Sequence, residues 1–306
     1  MERLDDLVLF VKVVEHGGFA AAARHLDMQR SKLSRRVGEL EQRLGVRLLQ
    51  RNTRRVSLTP AGERIYRHAR GVVEEARAAF DVASELKGEP SGLLRITCPA
   101  PFAIKALMPI VSAFSRQYPR LHLLIDASDR VKDLVGEGFD LAFRAQTAPL
   151  ADSSLVARAV SGVPMTFVAS PALVAAHGPL QHPRQLAEIG LLGLGSHEGR
   201  QSIPLTHPRL GDYLLDCLPR LVSGNMMVLE AAAMTGLGVA CLPRYVCRDG
   251  LSSGRLVEVF AEAQDWQVPE SRLYAVTPTR HGNTLALRLF LEFGLPQIAE
   301  TLRAGR

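Results

Sequence analysis

SKLSRRVGELEQRLGVRLLQRNTRRVSLTPAGE, residues 31–63, decides the fold. Its first part spaces Leu33, Val37, Leu40 and Leu44 at four, three and four, the interval that puts side chains on one face of an α-helix. With those four turned inward, Ser31 and Arg35 point away from the core, and Lys32 and Ser34 flank them. Gly45 ends the helix. Val46, Leu48 and Leu49 then lead through the basic run Arg51-Asn52-Thr53-Arg54-Arg55 into a strand-like Val56-Ser57-Leu58, the pattern of a β-wing with a cationic tip. Thr59-Pro60 opens another helix, a hydroxyl cap followed by a proline in the first turn, where its missing N–H costs nothing.

Upstream, Leu4, Leu7, Val11 and Val14 predict an amphipathic helix over Leu4–Glu15, stopped by Gly17-Gly18. Phe19, Ala22, Ala23 and Leu26 predict a second helix, whose small residues let a neighbour approach closely. The turn Asp27-Met28-Gln29 follows, and Asp tolerates the left-handed backbone a tight turn demands. Three short helices, a tight turn before the third and Arg, Lys and Ser at its start are the parts of a helix-turn-helix, which reads the major groove from the N-terminal end of its third helix. Arginine and lysine suit guanine edges, and serine suits phosphates or either base edge. A merely solvated charged face stands as the alternative.

Downstream, Ile65, Ala69, Val72, Ala76, Ala79, Ala83 and Leu86 recur at alternating fours and threes, a heptad seam on a helix of roughly 40 Å. That length exceeds what a sixty-residue domain can cover, so the helix reads as a dimerisation element, the alternative being packing along the chain's own second domain. Residues 1–60 hold twelve Lys or Arg against seven acids, which places +5 of the chain's formal net charge of +6 there. The basic excess favours a polyanionic partner.

At 306 residues two or more compact units are expected. A composition of 47% hydrophobic and 22% charged residues excludes disordered and collagen-like classes. The charged start Glu2, Arg3, Asp5, Asp6 lacks an apolar segment, and no apolar run reaches the ~18 residues of a membrane span, so the expected location is the cytoplasm, with no membrane partner. Cys98, Cys217, Cys241 and Cys247 form no CxxC pair and have no histidine at metal spacing; buried reduced thiols are expected, with no metal and no cofactor.

Glu89-Pro90-Ser91-Gly92 marks a hinge. Beyond it strands are expected at Leu93–Cys98, Leu121–Asp126 and Asp140–Arg144, alternating with helices at Ala103–Gln117 and Val131–Glu137, an order that predicts a parallel sheet with crossover helices. A second set of strands is expected at Pro164–Ala169, Leu191–Leu194, Leu221–Ser223 and Val239–Leu242, with Asn225 capping a helix that ends near Gly236. A strand at Ser271–Val276 and a helix at Thr284–Leu302 return to the first lobe. Two α/β lobes joined by crossing strands leave a ligand cleft at the switch point of the sheets. Loops after strands and helix starts line such a cleft, which selects Ala100, Pro101, Phe102, Ser128, Arg144, Phe167, Asn225 and Met226. Asn225 offers an amide and free N–H groups to an anion; Arg144 either holds a negative group or pairs with an acid.

Together LDDLVLFVKVVEHGGFAAAARHL and residues 31–63 closely resemble the N-terminal pattern of the LysR-type regulators over Leu4–Glu63, and RLHLLIDASDR, GEGFDLAFR and SSLVARAV are similar to stretches of that family's sensor. The resemblance implies a winged helix-turn-helix at 1–59 and a linker helix at 60–89. It also implies a two-lobed sensor at 90–306 resembling periplasmic binding proteins, with lobe I at 90–162 and 269–306 and lobe II at 163–268. It implies a homodimer or tetramer on an imperfect palindromic operator in double-stranded DNA, responding to a small organic effector, with RNA polymerase left open as a further partner. By position, Ser31, Lys32, Ser34 and Arg35 would face the major groove, with Arg30 at the helix start and Arg36, Arg51, Thr53 and Arg54 on backbone or wing contacts. Arg30 stands where many members have proline, Asp27 where many have glycine, and Pro101 where many have serine or threonine, which shifts the expected specificity at both ends.

Three competing readings are distinguishable. An enzyme would need a motif such as GxSxG, GxGxxG, a P-loop or HExxH, which Gly193-Leu194-Gly195-Ser196 and His197-Glu198-Gly199 only approach. A stand-alone solute-binding protein would not carry the basic N-terminal domain. A redox switch would pair Cys241 with Cys247, beside Arg244 and Arg248.

Overall fold

Leu33, Val37 and Leu40 sit in the core of a small helical unit, as their spacing requires. The computed structural model describes residues 4–51, 56–86, 90–146, 155–178, 180–260, 266–278 and 284–303. Contacts divide the chain into two compact units, residues 1–89 with 280–285, and 90–279 with 286–306.

The first unit comprises α1 (Leu4–Glu15), α2 (Phe19–His25), α3 (Arg30–Leu44), β1 (Leu49–Arg51), β2 (Val56–Leu58) and α4 (Pro60–Leu86). Asp27 adopts φ 49° in the turn before α3, and Gly45 closes α3 at φ 66°. Burying Phe10, Val11, Leu33, Val37 and Leu48 contributes about 1.5–3 kcal/mol per side chain, and the edge-on contact of Phe10 with Tyr66, centroids 6.2 Å apart, brings α4 onto α1. β1 and β2 pair antiparallel with Leu49 opposite Leu58. Thr59 caps α4: its Oγ1 accepts the Gly62 N–H at 2.9 Å and donates to the Arg47 carbonyl at 2.6 Å. Gly62 is required there, because a Cβ would overlap the Leu48 carbonyl. The expected heptad seam divides: Ile65 and Ala69 belong to this unit's own core, while Val72, Ala76 and Ala79 are exposed and the side chains of Ala83 and Leu86 lie outside the described residues.

The second unit holds two five-stranded sheets. The first lobe orders β4 (Leu121–Ala127), β3 (Gly92–Cys98), β5 (Leu141–Gln146), β14 (Ser271–Pro278) and β6 (Leu155–Val163). The second orders β11 (Leu221–Ser223), β8 (Leu191–Leu194), β12 (Val239–Pro243), β7 (Met165–Ala169) and β13 (Val257–Glu258). The parallel pairing expected for β4-β3-β5 holds, and β11-β8-β12 pair parallel as well; β14 pairs antiparallel with β5 and β6, and β7 pairs antiparallel with β12 and β13. The helical segment after β3 runs as α5 (Ala100–Phe102), a π-helical turn (Ala103–Leu107) and α6 (Met108–Gln117). The helix expected over Val131–Glu137 shrinks to α7 (Leu134–Glu137), because Asp133 caps it and Val131 stands in solvent. The second lobe adds α8 (Pro171–His177), α9 (Leu186–Ile189), the hairpin β9 (Gln201–His207) and β10 (Gly211–Cys217), α10 (Met226–Met234) and α11 (Arg244–Ser252). The closing α12 (Leu285–Arg303) packs Phe290 on Phe114 of α6, centroids 5.1 Å apart. One core joins Phe102, Phe143 and Leu273 of the first lobe to Val168, Leu242 and Tyr245 of the second.

Candidate nucleic-acid interface and effector site

α3 is held against α1 by charge as well as by apolar packing. Asp6, fully buried on α1, receives Arg36 Nε at 2.6 Å and Arg43 Nη2 at 2.5 Å, two guanidinium groups about two helical turns apart on α3. Burial alone would raise the Asp6 carboxyl, but the hydrogen bonds from Arg43 and Arg36, with their charges, outweigh it and hold it below its ordinary value. Glu41 on the same helix accepts the Leu48 and Leu49 N–H groups at 2.7 and 3.0 Å, fixing where β1 starts. Arg36 and Glu41 are thereby committed to the scaffold.

The opposite face is free for a ligand. Arg30, Ser31, Lys32 and Arg35 are exposed and Ser34 is half-buried. Among the described residues the ion pair of Arg35 is a 3.6 Å surface contact with Glu39, worth well under about 1 kcal/mol. The Gln29 side chain makes no capping hydrogen bond, so it leaves the first-turn N–H groups of α3 uncapped. Ser31, Ser34, Arg35, Gly38 and Gln42, with Val46 and Arg47, line an open concavity of about 960 Å3. Arg51 lies on β1 with its side chain outside the described residues, as are Thr53 and Arg54 entirely.

In the regulatory unit, Ala100–Phe102 begin the helix after β3, and the Ser128 N–H donates to the Cys98 carbonyl at 2.9 Å, which brings the ends of β3 and β4 together. Ala100 and Ser128 are half-buried and Pro101 is buried. Phe102 is a core residue between Phe143 and Tyr245, at centroid distances of 5.0 and 6.4 Å. Phe167 is likewise core, edge-on to Phe260 at 5.7 Å. Arg144 pairs with no acid among the described residues; its Nη2 donates to the Lys132 carbonyl at 2.7 Å and ties down the loop after β4. Beside it Lys132 bridges Glu137 at 3.0 Å and Asp126 at 3.7 Å, and its ammonium is pushed up chiefly by the Glu137 hydrogen bond. Asn225 caps α10, its Oδ1 accepting the Met227 N–H at 2.8 Å, so the side-chain NH2 is what remains to offer. Met226 packs against the shared core. Among the described residues no three His, Cys, Asp or Glu groups gather as a metal site, and no helix is long and apolar enough to cross a membrane.

Residues 4–63 match the bacterial regulatory helix-turn-helix protein, lysR family, and residues 87–298 match the LysR substrate binding domain. This chain belongs to the LysR family of transcriptional regulators. The LysR-family chain is 33% identical to the HTH-type transcriptional regulator PtxR of Pseudomonas aeruginosa over 293 residues, 95% of this chain and 91% of that protein. Its fold is similar to that of CrgA, a LysR-type transcriptional regulator from Neisseria meningitidis, with TM-score 0.61, 29% identity and 97% and 99% of the two chains covered. Full-length AphB, the Vibrio cholerae virulence activator, gives TM-score 0.59 at 29% identity, covering 95% and 98%. This LysR regulator therefore combines a DNA-binding helix-turn-helix with a two-lobed effector-binding domain, in a family whose members oligomerise.

Proposed function

We propose that this regulator reads an imperfect palindromic operator through Ser31, Lys32, Ser34 and Arg35, with Arg30, Arg51, Thr53 and Arg54 on phosphates. The single observation that carries this is the division of α3: Leu33 and Val37 wholly buried, Ser31, Lys32 and Arg35 between and beside them in solvent. Arg36 acts instead as a positioning residue, since its guanidinium is spent on Asp6. Two copies pair through the exposed Val72–Ala76–Ala79 stripe of α4, giving a dimer or, with contacts between sensors, a tetramer. The division into 1–59, 60–89 and 90–306, lobes parting near 162 and 269, assigns these roles. The protein works in the cytoplasm, without catalytic turnover, alongside RNA polymerase.

The effector site is proposed at Ala100, Pro101, Ser128, Asn225 and Met226. Phe102 and Phe167 shape it from the cores beneath, and Arg144 anchors its rim. Asn225 NH2 and the free first-turn N–H of α10 favour an acceptor group on the effector.

The test compares Arg35→Ala with Arg51→Ala on DNA from upstream of the gene and on a shuffled fragment. Arg35→Ala should cost about 1–3 kcal/mol, roughly 5- to 150-fold, on the upstream fragment alone. Arg51→Ala should weaken both fragments and reduce the salt slope by about 0.9. Equal losses on both fragments for Arg35→Ala would remove it from base reading.

A further inference from the structure

Lys105, Glu230 and Asp249 meet where the two lobes touch. Lys105 lies on the π-helical turn of the first lobe, while Glu230 is on α10 and Asp249 on α11 of the second. Lys105 Nζ is 2.6 Å from Asp249 Oδ2 and 4.0 Å from Glu230 Oε1. The Asp249 side chain is 64% exposed and that of Glu230 only 4%, and Glu230 Oε1 has no hydrogen-bond partner among the described residues. A surface carboxylate thus holds the ammonium while a buried one lies just out of reach. An unmatched buried polar atom is costly, and π-turns are frequent at functional sites because they break the regular helical register.

The charged groups facing Glu230 are Lys105 from the first lobe and Asp249 and Arg255 from α11 and the turn after it, with the Cys247 thiol beside them. The strands under α10 supply apolar Val168, Leu192 and Ala240 to the same core. Burial raises the Glu230 carboxyl above its ordinary value; Lys105 opposes this and Asp249 adds to it. Asp249 moves the other way, lowered by the Lys105 hydrogen bond and charge.

We propose that Lys105, Glu230 and Asp249 are a proton-operated latch between the lobes. With Glu230 protonated, Asp249 alone holds Lys105. When Glu230 releases its proton to solvent, the ammonium closes the gap to Oε1 and draws the π-turn onto α10. Lys105 lies five residues after Ala100, and Glu230 five after Asn225, so the two helices being drawn together are those that begin at the proposed effector site. The separation of the lobes there follows the charge on Glu230. The latch rests on the contact between lobes and requires no effector.

The test uses full-length protein with nitroxides on Ser112→Cys in the first lobe and Ala187→Cys in the second, both exposed, the four native thiols being buried or largely so. Spin-pair distances are measured from about pH 5 to about pH 8. The distribution should move as pH rises, and should stay fixed when Glu230→Gln is added. A folded carboxyl raised above its unfolded value contributes stability that is full at low pH and lost as pH rises through the folded value. Glu230→Gln should therefore raise the thermal midpoint reported by Trp266 by about 2–4 °C at the high end and leave it unchanged at the low end. A pH-invariant wild-type distance, a shift that persists in Glu230→Gln, or a midpoint gain equal at both ends would overturn the latch.

Discussion

Asp6→Asn isolates the electrostatic clamp under the recognition helix. The carboxyl is fully buried, while its partners Arg36 and Arg43 keep 23% and 43% of their side chains in solvent. Removing one member of a wholly buried ion pair costs about 3–5 kcal/mol. Here both guanidinium groups can turn toward water, which lowers the expected loss to about 2–3 kcal/mol. The protein supplies a clean assay. Its single tryptophan, Trp266, is buried in the second lobe, so its fluorescence in urea reports the regulatory unit, while circular dichroism also registers the helices of the first unit. Asp6→Asn should pull an early helical transition to lower urea and leave the fluorescence transition in place. The Asp6 carboxyl is held below its unfolded value, so its contribution is full above about pH 4 and is lost as pH falls through the folded value. The difference between wild type and variant should shrink over that same interval. A helical transition unmoved by the substitution, or a fluorescence transition that moves with it, would refute the reasoning.

Gly62→Ala should destabilise the first unit by about 1–3 kcal/mol, because its Cβ meets backbone at Leu48 that cannot swing aside; a circular dichroism melt measures it. His16 and His25 stack at 4.2 Å, and burial, then the His25 and Lys12 charges, hold His16 below its ordinary value. The first unit should lose stability as pH falls below about 6.5, and His16→Phe should flatten that dependence in urea titrations. Cys98, Cys241 and Cys247 are each pushed up to about 12, chiefly by burial. Maleimide at about pH 7.5 should leave them unmodified in native protein and label all of them in urea; rapid native labelling of Cys241 or Cys247, or a disulfide after mild peroxide, would restore the redox-switch reading.

The helix-turn-helix was legible because its signals are local. Leu33, Val37 and Leu40 repeat at helical spacing, Asp27 takes the left-handed turn its side chain tolerates, and Thr59 caps the helix it precedes. The clamp on Asp6 was not legible: its partners lie 30 and 37 residues away, and an aspartate in a first helical turn reads as a solvated charge. The hairpin β9–β10 escaped because Pro204 interrupts the strand pattern and only Leu205, Leu215 and Cys217 are buried along it. Crossing strand β6 escaped because its residues up to Ala159 are largely exposed. At the effector site, position along the chain located strand ends and helix starts correctly but not which way rings turn. Phe102 and Phe167 found cores on the inner faces of the lobes, where apolar burial outweighs presentation to a ligand. Lys105, Glu230 and Asp249 carry no spacing signal, since three separate elements bring them together.

Fluorescence anisotropy of full-length protein with labelled DNA from upstream of the gene, beside a shuffled fragment, at two salt concentrations, tests the central claim most directly. Sequence-specific recognition predicts binding to the upstream DNA that survives the higher salt while the shuffled fragment is released. No binding to either fragment at the lower salt would contradict it.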